Sequence, residues 1–346
     1  MARAAGSVFS PVGARARLVV FCYHQVLEKH DPLRPGEPDE AQFLRDVRLI
    51  NSVFNVLPFT EAARKLKAGS LPRRSACITF DDGYANNFEL AAPILQSVGV
   101  PATFFIAGGA VDTGVMWNDL VIESVARSGS KDEKENLAAI LGGLKYRPMA
   151  DRWDAAVEMY QNRVGSDLPR LMMTRDMVAG LARQGFEIGG HTINHPILKE
   201  LSDDDARREI EDCATWIRDV TGDAPTSFAY PNGVPGQDYT SAHSAMVREA
   251  GFEAAASTEW ALAHGGTDPF SIPRVGPWWR QGRTLTTGLC RSYLKSYLAR
   301  SRLRIATVRC DAGTIVRALP GPRWHNRNTT RGPRDALLRH GQETLV

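Results

Sequence analysis

Two adjacent carboxylates, Asp81 and Asp82, close a short apolar run, Cys77-Ile78-Thr79-Phe80, and Gly83 follows at once. The run is long enough for one buried strand, and the abrupt switch to charge places both acids at its C-terminal end. A helix-like stretch from Asn87 to Val98, a Gly99-Val100-Pro101 turn and a second buried strand, Thr103 to Ala107, complete a β-α-β unit. Parallel α/β folds keep their chemistry at that end of their strands. Neighbouring like charges repel, and a bound cation is the usual agent that offsets them.

The same alternation runs through most of the chain. Leu18 to Tyr23 reads as a first strand ending at His24, and Ala41 to Ser52 as a helix with Phe43, Val47 and Ile50 on one face. Val53 to Leu57 reads as a strand, and Thr60 to Ala68 as a helix capped by Thr60. After an interruption, Thr174 to Gln184, Phe186 to Gly190, Ser202 to Thr221, Ser227 to Tyr230, Ser241 to Ala250 and Phe252 to Ala256 alternate helix with strand. The pattern predicts a parallel α/β barrel. The interruption, about residues 109–173, holds helix-like pieces and few strand signals, too long for a plain crossover, and is expected to be a helical insertion. It is read as a subdomain that either decorates the barrel or covers the substrate.

A second motif supplies partners for the acids. His191-Thr192-Ile193-Asn194-His195 follows a strand ending in Gly189-Gly190. Histidines at i and i+4 converge if the segment turns helically. With one carboxylate they form an open two-histidine, one-aspartate set that suits a catalytic metal, with room for water and substrate. Successive side chains on a strand point opposite ways, so Asp81 and Asp82 are expected to take different roles.

ITFDDGY, the HTINH segment and FAYPNG together resemble the successive motifs of NodB-type polysaccharide deacetylases, carbohydrate esterase family 4. With the flanking YHQV and IPRVGPW segments, the resemblance spans roughly Leu18 to Trp279. It implies a distorted (β/α) barrel and metal-assisted hydrolysis of an N-acetyl group from an N-acetylhexosamine unit, releasing acetate. It implies Asp82, His191 and His195 as ligands of one divalent ion, zinc first, with Mn, Co or Ni also suited to the donors. Asp81 becomes the general base.

Three departures from the family pattern set further expectations. In the third motif, Ala229 stands where an arginine is usual and Asn232 where a tyrosine is usual. The main chain near Asn232 is still expected to serve the oxyanion, and Arg274 is the candidate to orient Asp81. The usual acidic fourth motif is reduced to Glu259-Trp260, with no catalytic role assigned; Trp278 is instead a candidate platform for a sugar ring, and Tyr230 a further substrate contact. No histidine in the usual C-terminal position follows; the branch of the family resembling poly-N-acetylglucosamine deacetylases carries it in a Tyr-His after the first strand, which here implies Tyr23-His24 and His24 as the general acid.

The domain is expected over residues 15–280, with a basic tail over 281–346 that carries 13 Lys/Arg against 3 Asp/Glu in a chain of net charge +3. That tail suggests peripheral contact with anionic lipid; few aromatics and no nucleic-acid fold argue against nucleic acid. Five scattered cysteines, an apolar run at Leu18 to Tyr23 too short for a secretion signal, and no apolar stretch of spanning length point to a cytoplasmic protein, peripheral at most to the inner membrane face. The expected partner is an N-acetylated glycan. Two rival readings are an amidohydrolase of the same fold acting on a small non-sugar amide, and an inactive glycan-binding relative.

Overall fold

The computed structural model describes residues 12–276; Trp278 and the basic tail fall outside them. The chain begins with β1 (Arg17–Tyr23) and continues through α1 (Glu40–Val53), the short β2 (Asn55–Val56) and α2 (Phe59–Lys67) to β3 (Ser75–Phe80). A π turn over Asn87–Ala91 enters α3 (Ala92–Val98), and β4 (Thr103–Ile106) follows. Five helices then intervene: α4 (Gly108–Thr113), α5 (Trp117–Ser128), α6 (Lys131–Glu135), α7 (Leu137–Lys145) and α8 (Met149–Arg163). Alternation resumes with α9 (Arg175–Arg183), β5 (Glu187–Gly190), α10 (Asp203–Thr221), β6 (Ser227–Ala229), α11 (Ser241–Glu249), β7 (Ala254–Ala256) and β8 (Ala263–His264).

The strands form one curled sheet in the order β7-β6-β5-β4-β3-β1-β8, parallel throughout except for β8, which runs antiparallel to β1. The gap between β7 and β1 is closed by Ile272-Pro273-Arg274-Val275. This segment makes parallel bridges to Ala256 on one side and Phe21 on the other. Val275 N donates to Val20 O (2.8 Å), and Ile272 N to Ala255 O (2.9 Å). The result is a distorted barrel in which the IPRV segment does the work of a strand.

Side-chain alternation divides the core into two shells. Val19, Phe21, Ile78, Phe80, Phe104 and Ile106 face outward onto α1 and α3, while Leu18, Val20, Cys77, Phe105, Ala229 and Ala256 fill the interior. Gly189 faces that interior too. A Cβ there would stand 2.6 Å from the Phe105 ring, so only glycine leaves room for it. The helices between β4 and β5 bury a cluster of their own, built on Leu120, Val121, Val125, Ala156 and Tyr160.

Two local expectations are corrected. The helix α2 starts after Pro58 and has no side-chain cap; the Thr60 hydroxyl instead donates to Glu187 Oε1 (2.5 Å). Glu187 also accepts from Thr103 and Ser227 hydroxyls, so it draws Thr60 into a polar plug at the N-terminal ends of the strands. The strand expected over Val53 to Leu57 is only two residues long, because β2 pairs just with Ser75 and Ala76 before the upper half of β3 turns to β4.

Candidate active site

Asp81, Asp82, His24, His191 and His195 gather at the C-terminal ends of the strands. Asp81 and Asp82 follow β3, and the Asp81 N–H still donates to Tyr23 O (2.9 Å), which extends the β1–β3 ladder by one bond. Asp82 then takes a left-handed backbone, φ 74°, which separates the two carboxylates more sharply than strand alternation would. Among the described residues only five other than glycine have positive φ, and four of them, Asp82, Thr192, His195 and Asn232, lie at this site. Such conformations cost of order 1–3 kcal/mol each and persist only where the surroundings enforce them.

Asp82 Oδ1 is 3.4 Å from His191 Nε2 and 3.4 Å from His195 Nε2. The same oxygen is buried and has no hydrogen-bond partner. A buried acceptor left in that state is costly. The Nδ1 of His191 lies 2.7 Å from Ala229 O, a contact that fixes the tautomer with Nε2 as the lone-pair nitrogen. Burial lowers the pKa of His195 to about 4, against the pull of Asp82, so its ring is neutral at ordinary pH. One orphaned carboxylate oxygen and two imidazole nitrogens on one point fit a divalent cation of the zinc type.

The convergence of the histidines is not helical, which corrects the expectation from their spacing. The segment after β5 is a tight loop whose left-handed residues, Thr192 and His195, fold it back. Glu209, on the buried face of α10, accepts from Ile193 N (3.0 Å), Asn194 N (2.9 Å) and Asn194 Nδ2 (2.8 Å). The one legible sign of this support was a glutamate in register with Ala206, Ile210 and Cys213 on an otherwise apolar face.

Asp81 is held from the other side. Arg274 Nη1 donates to Oδ1 (2.6 Å) and Nη2 to Oδ2 (2.7 Å), while its Nε donates to Ser257 O (3.0 Å). Arg274 is 2% exposed and its guanidinium lies 5.7 Å over the Phe105 ring. Burial would raise the pKa of Asp81, but Arg274 and His191 outweigh it and hold the carboxyl below the usual range. Cys22 Sγ stands 3.7 Å from Asp81 Oδ2, and with His24 these groups cluster within 4.8 Å. That cluster does not suit a metal, because the Arg274 fork engages both Asp81 oxygens and burial keeps the Cys22 thiol protonated.

His24 lines the same cleft as Asp82 and His195, with Nδ1 3.8 Å from Glu37 Oε1. Burial lowers its pKa, yet the charges of Asp82, Glu37 and Asp81 more than offset that and leave it raised. Asn232 borders the cleft as well. Tyr230 does not, and its expected contact with substrate is corrected. Its ring is fully buried, stacks on Tyr239 at 3.6 Å, and its hydroxyl bonds Phe270 O and Ser244. It follows the inward-facing Ala229, so alternation turns it out toward α11.

The cleft has a volume of about 330 Å³, and its far wall comes from the inserted helices. Trp117, Asn118, Asp119, Lys145 and Arg152 all face it. Asp119 is fully buried, accepts from the Tyr84 hydroxyl (3.0 Å) and lies 3.6 Å from Arg34. Burial pushes its pKa up to about 7 despite Arg34 and Tyr84. None of these residues was singled out from sequence, since which face an inserted helix turns to a cleft is fixed only by tertiary packing.

Comparison with known proteins agrees with this arrangement. The family model described as polysaccharide deacetylase matches residues 68–255, more than half of the chain. The protein therefore belongs to the polysaccharide deacetylase family, hydrolases that act on acetylated polysaccharide. It is 21% identical over 263 residues to YxkH of Bacillus subtilis (strain 168), to which polysaccharide deacetylase activity is ascribed, covering 75% of this chain and 71% of that one. Among solved structures, the Streptococcus pyogenes deacetylase PplD, in complex with acetate, is similar with a TM-score of 0.56 at 16% identity, covering 80% of this chain and 98% of its own. IcaB from Ammonifex degensii is similar at 0.54 and 20% identity, covering 82% and 97%. At these identities the likeness establishes the shared fold: a mostly parallel, curled (β/α) barrel of the NodB type.

Proposed function

We propose that this chain is a metal-dependent hydrolase that removes N-acetyl groups from N-acetylhexosamine units of an oligo- or polysaccharide and releases acetate. The observation that carries the reading is the orphaned Asp82 Oδ1 between two imidazole Nε2 atoms, with a second carboxylate, Asp81, held apart by its own arginine. Asp82, His191 and His195 would hold the ion, zinc or another divalent metal that accepts N and O donors. When bound, it supplies Lewis-acid polarisation of the acetyl carbonyl and acidifies water.

The remaining roles belong to groups of the chain itself. Asp81 accepts the proton of the attacking water. Arg274 positions that carboxylate through a two-point fork and keeps it ionised. The main-chain N–H at Asn232 is the candidate donor to the tetrahedral oxyanion. His24, whose pKa its acidic neighbours raise, gives a proton to the departing amine. The cleft that holds His195 and Asp82 is also lined by Trp117, which favours a glycan over a small amide, since a sugar site needs room and an aromatic face. Acetate release from a panel of N-acetylglucosamine oligomers tests the reading. Release that grows with chain length supports it, and release only from small non-sugar amides would replace it with the rival.

A further inference from the structure

Arg152 is a buried charge in this cleft that the proposed chemistry leaves unused. It is 5% exposed, lies within the first turns of α8, and lines the same cleft as His195. Its Nη1 donates to Lys145 O (2.9 Å), its guanidinium lies 5.0 Å over the Trp117 ring, and its buried Nε has no hydrogen-bond partner. No carboxylate comes within ion-pair distance of it among the described residues. A buried cation without a counter-ion is expensive. Near the N-terminal end of a helix it also opposes the helix dipole, which disfavours positive charge there.

Apart from Lys145, the other charges in the cleft have polar groups beside them. Arg34 pairs with Asp31 (2.6 Å) and Glu123 (2.8 Å), Asp119 accepts from Tyr84, Glu37 accepts from the Gln25 N–H (2.9 Å), and Asp82 faces the two histidines. Lys145, partly exposed, flanks Arg152 and adds a second cation to the same wall. An arginine held by a backbone carbonyl through one nitrogen, stacked on an indole and lining the cleft without a carboxylate partner is prepared for a planar or tetrahedral oxyanion.

We infer that the cleft wall formed by α5, α7 and α8 is an anion subsite, in which Arg152, flanked by Lys145, binds a carboxylate or phosphate carried by the glycan, with Trp117 beneath the sugar that bears it. The inference rests on the deacetylase reading only for the placing of the acetamido group next to Asp82. The substrate class is thereby narrowed from a neutral N-acetylhexosamine polymer to an acidic glycan or a phosphorylated glycan intermediate. Such a substrate comes from a reaction that installs a uronic acid, an acid-bearing ether or a phosphate on the sugar before deacetylation.

The test reads binding separately from turnover. Calorimetry on the full chain, metal-loaded, compares N-acetylglucosamine disaccharide with two counterparts, one bearing a hexuronate and one a sugar phosphate. Either or both anionic ligands should bind at least about tenfold more tightly than the neutral one, the strength of a charged hydrogen bond in a desolvated site. That ratio should fall toward one in Arg152→Gln and be largely kept in Arg152→Lys. The two anionic arms separate a carboxylate from a phosphate as the group read. If Arg152→Gln fails to fold, the wild-type ratio and its loss in Lys145→Gln, a partly exposed position, decide the matter. Equal binding of neutral and anionic ligands by the wild type would overturn the subsite, whatever acetate is released. Tight anion binding without acetate release would leave the subsite standing and remove the deacetylase reading alone.

Discussion

The Arg274 guanidinium and the Asp81 carboxylate, 193 residues apart in the chain, meet as a two-point fork of 2.6 and 2.7 Å inside the barrel. The contact exists because Ile272-Pro273-Arg274-Val275 closes the barrel between β7 and β1, which aims the arginine inward beneath the end of β3. Asp81 is thus ionised by a partner that belongs to the fold itself, and Asp82 is left to the histidines.

Arg274→Lys keeps the charge and loses the fork. Arg274 lowers the pKa of Asp81, so weakening the contact raises it, and a base that must be ionised then works only at higher pH. The acidic limb of the kcat/KM profile should move upward, with kcat/KM reduced about 10- to 100-fold, the scale of a misplaced acid–base group. A uniformly lower profile with an unmoved acidic limb would assign Arg274 a purely structural part.

Asp82→Asn and His195→Gln should each weaken metal binding by more than the roughly 10- to 100-fold that loss of an outer hydrogen-bond partner causes. A ligand that binds only the folded state stabilises it, by about 2.7 kcal/mol at a hundredfold excess over Kd. Chelation should therefore lower the unfolding temperature of the wild type and leave that of Asp82→Asn almost unchanged. An equal drop in both would place the ion elsewhere.

The sequence made the carboxylate pair legible, because two charges ending an apolar run have few structural uses. It also held both histidines of the HTINH segment, but not how they meet. Left-handed backbone at Thr192 and His195 is imposed by the Glu209 clamp rather than by residue type. Tyr230 stands at a strand end, which suggests the mouth, but parity relative to Ala229 turns its ring outward. Arg152 and Asp119 were invisible for a further reason: the inserted helices carry no periodic signal that separates a cleft-facing charge from a solvated one.

His24→Gln should cost about 10²- to 10⁴-fold in kcat, the usual reach of a positioned acid. The acid is useful only while protonated, so wild-type activity declines as pH rises through the His24 pKa, and the variant should lose that basic limb. Glu37→Gln, which removes one of the charges that raise this pKa, should shift the limb to lower pH without removing it. A basic limb indifferent to both variants would exclude His24 from proton transfer.

Asp119 predicts a pH effect on stability. Its carboxyl titrates near 3.8 when unfolded and at about 7 in the fold, where burial favours the neutral form. Folded and unfolded states hold the proton alike below the lower value. As pH rises toward 7 only the unfolded state releases it, so stability falls, and the full cost is present above 7. At about 1.4 kcal/mol per unit, on the order of 4 kcal/mol is at stake. Asp119→Asn should unfold at a higher temperature relative to wild type at pH 8 than at pH 5. Parallel curves over that range would show that Asp119 is already ionised at pH 5.

The central claim is that Asp82, His191 and His195 hold one catalytic ion beside the base Asp81. The most direct measurement is acetate release from N-acetylglucosamine oligomers by chelator-stripped protein as zinc, manganese, cobalt or nickel is added back in known equivalents. The account predicts no release from stripped protein and a rise that saturates at one equivalent, with Asp82→Asn and Asp81→Asn both inactive and only the former defective in binding metal. Full activity after stripping, or none with any metal restored, would contradict it.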